Sequence, residues 1–358
     1  MKKFLMIPLA VALLLGASSC NKDVSASGGQ GDLVVTLDFP DASTKATVAR
    51  TDAEKTINKM SLLVFDENGM LANPIHDVTT AEIAAGKATI EKVRTGSKTV
   101  VGICNQRGTY DAAIAGVTKL SDLLGIQYGL AINARTNLVA VGSGTATVTT
   151  AGGAATVTMG LRVGRICLKT VKNHLPASYG AMTLKRAFLC DVQTMGGTGT
   201  AAPDAEAFVN KSGTNDDGHN HIIGSGSYVV ANEVIRDLTF QSLSDESVAN
   251  ASQKDFAAPG VLFYCGRNMR TAVNNGFNLT TPTATTLMVV AAIGGTEYYY
   301  PVPVTTGVEA GYSYDLTLDI VGLGNTVDTA YDKIEKGTMT VTIGVADWTA
   351  GGNVDETI

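Results

Sequence analysis

Charge and aromatic surface are scarce in this sequence: Asp, Glu, Lys and Arg make up 17% of 358 residues, and Phe, Trp and Tyr 6% with a single tryptophan. The balance is acidic, 27 basic against 33 acidic side chains for a formal charge of -6, which excludes the basic stripe that nucleic-acid binding needs. No apolar run reaches the roughly 18 residues of a membrane helix. Cys-x-x-Cys spacing is absent, and with it the usual zinc frameworks. Also missing are the Gly-x-Ser-x-Gly elbow, the P-loop and a complete Gly-x-Gly-x-x-Gly. Gly322-Leu323-Gly324 is a fragment of the last, but it follows a strand pattern and opens no helix. No pair of carboxylates has a spacing that argues for acid and base roles. The expectation is a protein that is not an enzyme and uses no cofactor or metal.

What the sequence does have is 45% apolar residues, 39 glycines and an abundance of Thr, Val and Ala in short stretches. That composition reads as a β-rich secreted or surface protein. Strand patterns run over Leu33 to Phe39, Met60 to Phe65, Ala88 to Val93, Thr99 to Ile103, Leu138 to Val141 and Thr145 to Met159. They continue over Arg186 to Val192, Val261 to Tyr264, Thr286 to Ile293, Glu297 to Val304 and Tyr312 to Val321. Asn68-Gly69 marks a hairpin turn. Only Lys119 to Leu124 and Thr79 to Ala85 carry a short helical signal, while Gly196 to Asn220 and Ser242 to Ala258 are polar and read as loops. A compositional shift at Leu161-Arg162-Val163-Gly164-Arg165-Ile166 puts a domain boundary near residue 160, with sandwich architecture on both sides.

At the N-terminus, Lys2 and Lys3 precede the apolar stretch Phe4 to Leu15, and small residues lead to Cys20. This is a secretory signal over residues 1–19. Cys20 followed by Asn21-Lys22-Asp23 resembles a bacterial lipobox, with Ala17 where leucine is usual. The resemblance implies that the Cys20 thiol is lipidated and that the precursor is an outer-membrane lipoprotein.

Four cysteines remain, Cys104, Cys167, Cys190 and Cys265. An even count in an exported chain permits two disulfides in three pairings. Their placement inside apolar strands favours buried thiols instead. His219 and His221, in Asp216-Asp217-Gly218-His219-Asn220-His221, have no identifiable third ligand and read as a solvated turn; His76 and His174 are solitary. Asp328-Thr329-Ala330 resembles an O-glycosylation sequon of Bacteroides-type bacteria.

Two strands at opposite ends share one pattern. Val35, Leu37 and Phe39 line one face of the first, and Met339, Val341, Ile343 and Val345 line one face of Thr338 to Trp348. Strict alternation puts Trp348 on the opposite, threonine face, unless a bulge intervenes. A strand completes a sheet edge equally well from its own chain or from a neighbour. Between the first strand and the body lies Arg50, followed by Thr51, in a small-residue stretch that reads as protease-accessible. Physics alone leaves two alternatives open: both strands pack in their own sandwich, or they exchange between subunits after a cut.

Cys20-Asn21-Lys22-Asp23, Leu33 to Phe39, and Arg50 followed by Ile57 to Phe65 resemble the fimbrillins, lipoprotein subunits of the type V pili of Bacteroidales, of FimA type. Val100 to Asn105, Arg162 to Ile166, Tyr314 to Ile320 and Val345 to Thr349 are similar too. The resemblance implies an all-β fold of two tandem transthyretin-like β-sandwich domains. Carried onto this chain, it gives a signal (1–19), a propeptide (20–50), domains at 51–160 and 161–325, and a donor-strand tail (326–358). It also implies that an arginine-specific protease cuts between Arg50 and Thr51 and releases the strand bearing Val35, Leu37 and Phe39. The vacated groove then accepts the tail of another copy through Met339, Val341, Ile343, Val345 and Trp348. The expected partners are copies of itself, accessory fimbrial subunits, that protease, the outer membrane and an unidentified adhesion receptor. A tip or anchor subunit, or a monomeric surface lipoprotein binding glycans or peptides, is the alternative.

Overall fold

The structure, a computed structural model, describes residues 28–39, 50–199, 208–209, 237–273, 283–326, 329–330, 338–347 and 353–357. For 208–209, 347 and 353–357 the description is of backbone only. Cys20, His219, His221, the sequon residue Asp328 and Trp348 lie outside the described residues.

The fold is all-β, with short α-helices at Thr80–Ala85, Gly108–Ala115 and Leu120–Gly125 and helical residues at 237–239. The first half forms a seven-stranded sheet ordered His76–Asp77, Met60–Phe65, Gly96–Cys104, Ala140–Val148, Gly153–Leu161, Gln30–Asp38, Lys87–Arg94. Thr95 alone joins Lys87–Arg94 to Gly96–Cys104, although three strands separate them in that order. In a flat sheet the gap would be about 19 Å at about 4.8 Å per strand, beyond the reach of one residue. The sheet therefore curls onto itself, and its two layers pack face to face. Gly102 and its ladder partner Gly142 leave room for side chains of the next strand to reach over them: a Cβ at Gly102 would sit 3.0 Å from the Met159 sulfur and 3.1 Å from Val157 Cγ1.

Sequence pattern follows position in this sheet. Met60–Phe65 is buried at every residue, as befits a strand covered on both faces, and its one polar side chain, Ser61, donates to Asp77 and accepts from Gln106. Lys87–Arg94 ends the sheet: it buries Ala88, Ile90 and Val93 and turns lysine, glutamate and arginine outward, which blunts an edge. The Asn68-Gly69 turn is present, with Gly69 at φ 73°. The stretch Thr145 to Met159, read as one strand, is two; a turn at Thr149–Gly152 folds Ala140–Val148 against Gly153–Leu161.

The second half contributes a sheet ordered Ser252–Asp255, Gly164–Asn173, Tyr312–Ile320, Met339–Asp347, Asn353–Thr357, with Val261–Cys265 also paired to Gly164–Asn173. A four-stranded sheet runs Phe240–Val248, Met182–Cys190, Thr286–Ile293, Thr296–Pro303. Part of the polar stretch read as a loop is thus strand. Phe240–Val248 extends the ladder of the apolar Met182–Cys190, and burying Leu243 and Val248 is enough to hold it. Of the helices, Thr80–Ala85 and Leu120–Gly125 match the two helical signals, while Gly108–Ala115 carries no amphipathic pattern and escapes detection.

The two halves touch. Met195–Gly197 pairs with Gln127–Gly129, the Tyr110 hydroxyl meets Thr198 Oγ1 at 2.9 Å, and buried side chains from Leu33 to Ile343 form one contiguous cluster.

Candidate functional site

The leading strand, Gln30–Asp38, sits inside the first sheet rather than at its edge. It runs parallel to Gly153–Leu161 on one side and antiparallel to Lys87–Arg94 on the other. Leu33, Val35 and Leu37 are buried, Phe39 is half-buried against the same core, and Thr36 is exposed. Each buried Val or Leu contributes about 1.5–3 kcal/mol, and each ladder hydrogen bond about 0.5–1.5 kcal/mol. Taking this strand out would open a groove between Gly153–Leu161 and Lys87–Arg94, walled by Ala88, Ile90, Ala155 and Val157.

Arg50 is half-buried, not fully exposed as its small-residue context suggests. Its charge reaches Cys104 at the end of Gly96–Cys104 and partly offsets the effect of burial on that thiol. Thr51 and Glu54 form a reciprocal turn: the Thr51 amide donates to Glu54 Oε2 at 2.6 Å, and the Glu54 amide donates to Thr51 Oγ1 at 3.2 Å.

The Glu54 carboxylate then crosses to the second half of the chain. Arg165 Nη1 donates to Oε2 at 2.9 Å and to Oε1 at 3.2 Å, and both side chains are 0% exposed. The Tyr264 hydroxyl donates to Oε1 at 2.5 Å, and Arg165 Nε donates to Ser313 Oγ at 2.9 Å. Burial, then the Glu54 charge, pushes the Tyr264 phenol well above its ordinary range. Sequence reasoning missed this network. Its local signals are Thr51-x-x-Glu54 and an arginine inside the apolar strand Val163 to Leu168, but the partners are 111 residues apart.

The tail strand, Met339–Asp347, pairs antiparallel along its length with Tyr312–Ile320 of its own chain, from Met339 opposite Ile320 to Asp347 opposite Tyr312. Val341 and Ile343 are buried, Met339 and Val345 half-buried, and Thr340 and Thr342 exposed, so the alternation holds as far as Ile343, whereas Ala346 on the threonine face is buried. Asn353–Thr357 adds a further strand on its other side. The acidic, glycine-rich end of the chain is therefore partly strand.

Cys104, Cys167, Cys190 and Cys265 are buried thiols. Burial pushes Cys104, Cys167 and Cys265 up to about 12. Iodoacetamide at pH 8 is expected to leave these three unmodified in the folded chain and to alkylate them after denaturation, as peptide mass mapping would report. His76 contacts Glu82 at 3.2 Å and His174 contacts Asp319 at 2.7 Å. No cluster of three or more metal-ligating side chains occurs among the described residues.

Comparison with known proteins follows the same lines. Residues 33–178 match the family described as major fimbrial subunit protein (FimA). A candidate cell adhesion protein of Bacteroides eggerthii DSM 20697 superposes with a TM-score of 0.62 at 20% identity, covering 90% of this chain and 97% of that one. One from Parabacteroides distasonis ATCC 8503 gives 0.57 at 15%, covering 89% and 100%. A fimbrilin (FimA) from Porphyromonas gingivalis W83 gives 0.56 at 13%, covering 90% and 99%. No curated protein matches the sequence. Residues 33–178 are thus similar to the FimA family of major fimbrial subunit proteins, and the chain as a whole has the fold of the solved fimbrilin and its relatives.

Proposed function

We propose that this protein is a structural subunit of a surface fimbrium that polymerises by strand exchange and supports adhesion. In this reading the precursor is lipidated at Cys20 and anchored in the outer membrane. An arginine-specific protease cuts between Arg50 and Thr51, the leading strand departs, and its groove takes the tail strand of another copy. The observation that carries the reading is the position of Gln30–Asp38: an interior strand whose only covalent tie to the sheet's remaining strands runs through residues 39–59. One cut there leaves that strand held by noncovalent contacts alone. The division near residue 160 belongs to the proposal too, supported by the pairing of Gly153–Leu161 and Gly164–Asn173 in different sheets.

A second reading, a tip or anchor subunit, draws on the tail strand. Its nine residues are engaged by their own chain, and a donor must first leave Tyr312–Ile320. Arg50→Ala and, separately, deletion of residues 338–358 distinguish the two. With an arginine-specific protease the parent chain is expected to form high-mass, detergent-resistant ladders, and both variants none. Ladders that persist in both would sink strand exchange; absence from all three favours the tip or anchor.

A further inference from the structure

Glu54 is an unusual carboxylate because its buried oxygens already take four hydrogen bonds, one of them from the amide of Thr51. That number is close to the accepting capacity of a carboxylate. The Thr51 nitrogen is the atom that a cut after Arg50 would transform, since hydrolysis turns a neutral amide into an α-ammonium. At 2.6 Å from Oε2, the new cation needs no movement to make contact.

We propose that Glu54 is the receiving site for the amino terminus created by maturation, so that the cut adds an ammonium–carboxylate pair to the buried Glu54–Arg165 contact and fastens the start of the mature chain to its second half. The inference rests on cleavage after Arg50 and deepens that reading by giving the mature terminus a binding site. The reaction is ordinary hydrolysis: water adds across the Arg50–Thr51 amide, the C–N bond breaks, Arg50 keeps the carboxylate and Thr51 the amine, which takes a proton at neutral pH.

The charges around the nitrogen decide the balance. Glu54 attracts it. Arg165 shares the same carboxylate and opposes it, and Arg135, stacked over the Tyr264 ring at 5.4 Å, adds a more distant positive charge. Asp52, next in the chain, and the new Arg50 carboxylate are both favourable; the Tyr264 phenol stays neutral. Glu54 is the one in direct contact, and an opposite charge at that range raises an amine by about one to three units. The pair stabilises the cut chain below about pH 8, and that contribution fades as pH climbs through the raised midpoint. The network also ends at the tail. Ser313, which accepts from Arg165, lies opposite Arg165 on one side of its strand and opposite Ala346 of the tail strand on the other.

The test uses the full chain nicked by an arginine-specific protease, with the new terminus identified by mass spectrometry. Competitive labelling with trace acetic anhydride from pH 6 to 10 gives the midpoint at which the α-amine becomes reactive. The expected midpoint lies at least about one unit above the ordinary 7.7–8.0 of an α-amine. Inserting an alanine between Arg50 and Thr51 keeps the buried pair and the Thr51 amide but moves the terminus about 3.8 Å away, and its midpoint is expected to return to the ordinary value. The Arg50 carboxylate is present in both, so it cannot produce the difference. A Thr51 terminus with an ordinary midpoint overturns this inference while leaving the cleavage reading intact; a terminus other than Thr51 overturns both.

Discussion

Glu54→Gln is expected to lower the unfolding free energy of the uncut chain by about 3–5 kcal/mol, read from urea titration by fluorescence or circular dichroism. The size follows from solvent exclusion. Both side chains of the Glu54–Arg165 pair are 0% exposed, so the substitution strips the carboxylate from a guanidinium that water cannot reach. Glutamine keeps the shape and an acceptor for Tyr264, which isolates the loss of charge from the loss of volume. Compare Lys254–Glu246, bonded at a similar 2.8 Å but 32% and 40% exposed; breaking it is expected to cost at most about 1 kcal/mol. Distance alone does not separate the two pairs, and burial does.

The double variant Glu54→Leu, Arg165→Met makes the argument sharper. An apolar replacement of a buried ion pair is often neutral or better. Here the Tyr264 hydroxyl and the Thr51 amide also lose Glu54 as acceptor, at about 1–3 kcal/mol each, whereas Ser313 keeps Asp315. The double variant is therefore expected to lie above Glu54→Gln and below the parent. Were Glu54→Gln harmless, the network would not be holding the two halves together.

How far the sequence could be read depended on where each contact's information resides. Strands with one buried face wrote their period into a few adjacent residues, which is why Val35 and Leu37 at one end and Val341 and Ile343 at the other were legible. The same locality misled at Thr145 to Met159, where alternation continues across a turn made by Thr149 to Gly152 and periodicity cannot see the reversal. Phe240–Val248 and Ser252–Asp255 have too few apolar residues to declare themselves. They are strands because Met182–Cys190 and Gly164–Asn173 offer them an open ladder, a tertiary override of local propensity. Arg50 and Thr51 were legible as a basic residue in a small-residue stretch, but the buried network beside them was not. Glu54 meets Arg165 and Tyr264 only because the fold brings three distant segments together.

Leu33→Ala and Leu37→Ala are each expected to cost about 2–5 kcal/mol, since both side chains are buried in an interior strand with a wall on either side. In the intact chain the cost is paid as global stability. In the nicked chain it falls on retention of the leading strand, because residues 1–50 are then a separate peptide. Every 1.4 kcal/mol is tenfold, so each variant should weaken retention by about 30-fold to 4,000-fold, measured as peptide release on size exclusion after the cut. Thr36→Ala is the matched control: the same strand and ladder, with an exposed side chain and an expected change within about 0.5 kcal/mol. The leucine variants also separate the two halves of strand exchange. If departure of the leading strand limits assembly, they should form ladders faster than the parent once nicked, despite being less stable before it. Equal ladder rates with faster peptide release would move the limiting step to the other strand, where the tail must leave Tyr312–Ile320 before another subunit's groove can take it.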